Sequence, residues 1–143
     1  MKKNTLKLSI ILSIVIFSLY AAGCGKGDEY GVGPVKEVKL GSLDDGLMAK
    51  GKQIFETKCV ACHKFNSRLV GPPLKDVTKR RKPEWIMNQI LNPVEMTQKN
   101  QIAKELFAQY MVQMTFQDVT QEDTRAILEY FRGVDENKIA VKE

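Results

Sequence analysis

Hydrophobic and polar positions divide the chain into three unequal parts. Lys2, Lys3 and Lys7 precede a thirteen-residue, predominantly apolar run from Leu8 to Tyr20, which is followed by Ala21-Ala22-Gly23 and then Cys24. A basic start, a short apolar stretch and small residues in that order make an export leader, residues 1–23. The run is too short for a comfortable membrane span, which needs about 20 apolar residues. From Gly25 to Gly41 there are five glycines and Pro34 but few large apolar side chains, so residues 24–41 read as a flexible tether.

From Ser42 onward the apolar positions recur with helical spacing, and no alternating run longer than four residues predicts a strand. Ser42 is a candidate cap for a first helix, with Asp44 and Asp45 near its positive end and Leu47, Gly51, Ile54, Phe55 and Lys58 along it. A short turn or helix covers Asp76 to Arg81, and Pro83 opens a segment that Asn92-Pro93 ends. Ile102, Leu106 and Tyr110 form the stripe of another helix. Thr120 to Asp123 is a capping-box-like start, Ala126, Ile127, Tyr130 and Phe131 make an apolar face, and Gly133 is the expected terminator. The prediction is an all-α domain over 42–133 with three to five helices, followed by a polar tail, 134–143.

Composition narrows the functional classes. The formal charge is +5, but three of the 22 basic residues lie in the leader, leaving 19 against 17 acidic ones in the exported part. That balance gives no support for nucleic-acid binding. The exported part suits one small domain with one core.

The candidate chemistry is concentrated in Cys59-Val60-Ala61-Cys62-His63, which holds the chain's one histidine and two of its three cysteines. Two thiols two residues apart can each add across a haem vinyl group, and the following imidazole can bind the iron. A zinc site would need four ligands, and a thioredoxin-like pair would need a βαβ context that is not visible. The reading is therefore one covalently attached haem c, with His63 as an iron ligand. Small residues ending at Cys24 resemble the lipobox of bacterial lipoproteins, with Ala21 where leucine is usual. Cys24 is then the lipidation site, and no disulfide remains to form; an ordinary secretory leader cut near Ala22 is the alternative.

Taken together, these residues resemble the class I c-type cytochromes. Gly51 and Phe55, four residues before Cys59, are similar to that family's N-terminal helix, and Ile127 and Tyr130 to their partners on its C-terminal helix. Gly71-Pro72-Pro73-Leu74 is similar to the loop whose proline carbonyl accepts a hydrogen bond from the axial imidazole, which places that role on Pro72. The resemblance implies a methionine sixth ligand in the loop before the last helix. Met114 stands at the matching distance from Thr120, with Thr115 in place of the usual proline, and Met111 is the alternative. Pro83-Glu84-Trp85-Ile86 with Asn92-Pro93, and Ile102 to Leu106, also resemble mono-haem lipoprotein cytochromes, including domains associated with atypical nitrous oxide reductases.

The implied function is electron transfer rather than catalysis, with protein redox partners, attachment to the periplasmic side of a bacterial membrane through lipid, and a monomeric state. A peroxidase-like enzyme or a haem-based ligand sensor is the alternative; the enzyme would need an open iron face and a distal acid or base, and there is no second histidine. Ten basic residues between Lys50 and Lys82, against Glu56 and Asp76, offer a surface that steers acidic partners, or simply a solvated face.

Overall fold

Six helices occur among residues 29–141, the residues that the computed structural model describes. They are α1 (Asp45–Lys58), α2 (Val77–Arg80), α3 (Pro83–Leu91), α4 (Pro93–Lys99), α5 (Gln101–Tyr110) and α6 (Gln121–Asp135). The leader and Cys24 lie outside the described residues. The architecture is all-α, with α4 and the one-turn α2 carrying the count beyond three to five. None of the described helices is long and apolar enough to cross a membrane.

The cap of α1 is Asp44 rather than Ser42. Its carboxylate accepts from Leu47 N at 2.9 Å, while its own N–H donates to Glu129 Oε1 on α6 at 3.0 Å. Burial pushes the Glu129 carboxyl up. Arg125, the Asp44 N–H and Arg132 outweigh that and hold it below the usual carboxylate range. One acid thus satisfies the start of one helix from the side of another. At α6 the capping box forms: Asp123 N donates to Thr120 Oγ1, and Thr120 N to Asp123 Oδ2, both at 3.1 Å.

Helices α1 and α6 cross at Gly51, where a Cβ would collide with the Ala126 carbonyl and crowd the Ile127 nitrogen. Ile127 and Tyr130 are the partners that the resemblance implies for Gly51 and Phe55, and the structure divides them: the glycine meets the Ala126–Ile127 peptide, while Tyr130 lies a turn further along, 5.6 Å from Phe55 between ring centroids. Phe65 and Phe131 complete this aromatic cluster, at 5.3 and 5.7 Å from Phe55. Such pairs are each worth about 0.5–1.5 kcal/mol beyond the area they bury.

Three further boundaries differ from the sequence reading. The segment after Tyr30 is a packed strap rather than a free tether: Val35 is buried and exchanges hydrogen bonds with the Asn88 carboxamide, and Val38 N donates to Glu84 Oε1. Pro93 does more than end α3, because it also begins α4, whose Met96 is fully buried. Gly133 lies inside α6, where a Cβ would press on Met48 Sδ; the helix continues to Asp135 and turns back through Asn137 at φ 59°. Ile139 and Val141 in the tail then pack against the core.

Candidate functional site

The chain leaves α1 directly into the attachment motif. Cys59 is the C-cap, and the N–H groups of Cys62 and His63 both return to Cys59 O, at 3.1 and 3.0 Å. This extra turn carries both thiols and the imidazole. The following loop doubles back, with Val70 N and Gly71 N donating to Cys62 O. It thereby sets Pro72 O 3.1 Å from His63 Nδ1. A carbonyl only accepts, so Nδ1 carries the proton and the Nε2 lone pair is free to bind a metal. Burial lowers the His63 pKa, opposed by the Pro72 contact, so the ring is held neutral as a ligand must be.

Cys59, Cys62 and His63 line a cavity of ≈ 350 Å³ between α1, α3, α5, α6 and the loop 111–120. Cys59 is half-buried and burial pushes its thiol up to about 11, whereas Cys62 is exposed at the rim. Much of the remaining wall is apolar, including Ile86, Ile90, Leu106, Ile127 and Phe131. At Gly71 a Cβ would overlap the imidazole of His63, so only glycine leaves the ring its place.

The two methionines of the loop are separated clearly. Met114 is partly buried and belongs to the cavity wall, while Met111 is 76% exposed and occupies the left-handed C-cap of α5 at φ 55°. Hydrogen bonds hold the loop where a proline would otherwise stiffen it. Lys58 Nζ donates to Gln117 O at 2.9 Å, Gln113 Nε2 to Met114 O at 2.9 Å, and Gln117 Nε2 to Thr115 Oγ1 at 2.9 Å. A neutral imidazole, two thiols and a thioether around an apolar cavity are a donor set suited to haem. Zinc is not: among the described residues no three His, Cys, Asp or Glu side chains are grouped to hold an ion.

The basic run is largely engaged rather than free. Lys50 pairs with Asp123 at 2.8 Å and Lys79 with Asp76 at 2.7 Å, and Arg81 lies over Trp85. Arg68 stacks on Tyr110 at 4.7 Å, linking the loop after His63 to the end of α5. Sequence reasoning missed Gln89, whose side chain reaches Met114; the signal was a polar residue on a helix face otherwise made of Trp85, Ile86 and Ile90.

The family model for cytochrome c matches residues 48–135. A cytochrome c from Rhodothermus marinus is 49% identical, over 73% of this chain and 91% of that one, with a TM-score of 0.72. An engineered cytochrome c from the same organism, Rma TDE, is 48% identical over 73% and 92% of the two chains, with a TM-score of 0.71. The same engineered protein bound to a carbene intermediate is also 48% identical, with equal coverage and a TM-score of 0.69. No curated protein matches the chain. The helical fold, the attachment motif and these likenesses agree over the same residues, and the chain belongs to the cytochrome c family, with covalently attached haem c as its cofactor.

Proposed function

We propose that this cytochrome carries single electrons between protein partners outside the cytoplasm, with the iron held by His63 on one side and Met114 on the other. The observation that carries the reading is the convergence of His63, Cys59, Cys62 and Met114 on one cavity. When bound, haem supplies a one-electron iron couple, whose potential a thioether ligand raises.

The chain's own groups do the rest. Cys59 and Cys62 would fasten the macrocycle edge, and Pro72 O fixes the plane of the imidazole. Ile86, Ile90, Leu106 and Ile127 exclude water, which limits rearrangement when charge arrives or leaves. Lys58 pins the loop that bears Met114 to the end of α1. Were haem held by His63 and Met114 together, both residues would be committed to the iron, which suits electron transfer rather than substrate binding.

Cys24 is the proposed lipid attachment point. The packed strap begins at Gly31, so about six residues separate anchor from domain, a reach of at most roughly 25 Å. This keeps the domain close to a membrane surface rather than on a long leash. A Cys24→Ser variant is expected to move from the membrane to the soluble extracytoplasmic fraction; unchanged membrane association would contradict the lipid anchor.

Film voltammetry of the purified protein tests the carrier function. One reversible one-electron wave, unchanged by hydrogen peroxide, is expected. A sustained catalytic current with peroxide would replace the carrier reading with an enzymatic one.

A further inference from the structure

The face that α3 turns to the cavity consists of Trp85, Ile86, Gln89 and Ile90. A single carboxamide on such a face is a cost unless something there needs it. Gln89 Nε2 lies 3.7 Å from Met114 Sδ, within reach of an N–H to sulfur hydrogen bond. The other end, Oε1, is buried and makes no hydrogen bond. A thioether sulfur can only accept, so the amide end of Gln89 is the one able to pair with it. The orientation of this side chain is therefore set at Met114 and not by its oxygen.

We propose that Gln89 is a positioning residue for the sixth ligand, donating from Nε2 to one lone pair of Met114 Sδ and leaving the other for iron. This rests on the proposed Met114 ligation and assigns the group that controls it. Two consequences follow from the chemistry. Drawing density from sulfur weakens its donation to ferric iron more than to ferrous iron, which raises the reduction potential. The same loss of donation makes the ferric iron–sulfur bond easier to displace, so exogenous ligands compete better for the ferric site than they would without the contact. Loop 111–120 carries Met114 from one side while α3 holds the sulfur from another, so the ligand's position does not depend on the loop alone.

The test compares wild type with Gln89→Leu, which keeps a side chain of similar size on the face and removes both polar ends. Expected are a lower reduction potential, a shifted methionine-to-iron charge-transfer band and roughly tenfold weaker binding of imidazole to the ferric form, because the sulfur freed of the contact donates more strongly to ferric iron. In wild-type reduced protein, a nuclear Overhauser contact between the Gln89 amide protons and the Met114 methyl is expected without any substitution. If the wild type has the charge-transfer band but Gln89→Leu leaves band, potential and imidazole affinity unchanged, the positioning role is wrong. If the wild type lacks the band, Met114 ligation itself fails. The absence of the Overhauser contact would overturn the proposal even if the variant did not mature.

Discussion

Gly71 packs its α-carbon against the imidazole of His63, leaving no room for a side chain between the loop and the ring. The same loop supplies Pro72 O to Nδ1. Ring orientation and tautomer therefore depend on one backbone path, because the residue that clears the space adjoins the one that makes the bond.

Gly71→Ala is expected to displace the imidazole or the loop, breaking the Pro72 contact. The readout is the absorption spectrum of the matured protein, in which the yield of the six-coordinate form should fall. A spectrum and yield equal to wild type would show that the loop can yield without disturbing His63.

At the helix crossing, Gly51→Val presses a branched side chain into the Ala126 carbonyl. Overpacking of this kind costs about 1–3 kcal/mol. Thermal unfolding of the holoprotein should register this loss, and an unchanged midpoint would mean that α1 and α6 can separate there at no cost.

A third expectation concerns pH. The Lys50 ammonium, assisted by Thr120, holds the Asp123 carboxyl down at about 2, from an ordinary 3.8. Because the folded value is depressed, the stability it contributes is complete above about pH 4 and is lost as pH falls toward 2. Asp123→Asn should lower stability at neutral pH and flatten the acid limb in this window. Parallel acid limbs in the two proteins would remove Asp123 from the account.

Much of this fold was legible because its signals are local. The capping box at Thr120, Pro83 at the start of α3 and the stripe Ile102, Leu106, Tyr110 depend on neighbours within one or two turns. The sequence reading failed where the decision was tertiary. Pro93 suits a helix start as well as an end, and the burial of Met96 against the strap goes with a second helix. Gly133 read as a terminator, yet its missing side chain makes room for Met48 within a helix that continues. The glycine-rich stretch looked loose because its packing depends on Asn88, more than fifty positions away. At the site, the attachment motif and Pro72 were legible from spacing and resemblance. Gln89 was not, since one glutamine in a helix has no meaning until its sulfur neighbour is placed.

The most direct test of the central claim is the far-red absorption of ferric Met114→Ala beside ferric Met111→Ala. Met114 lines the cavity, whereas Met111 points into solvent. Wild type and Met111→Ala should share a methionine-to-iron charge-transfer band, while Met114→Ala should lose it, bind added imidazole readily and show a lowered potential. Persistence of the band in Met114→Ala would contradict His63–Met114 ligation, and its loss in Met111→Ala alone would transfer the sixth ligand to the residue that the fold turns outward.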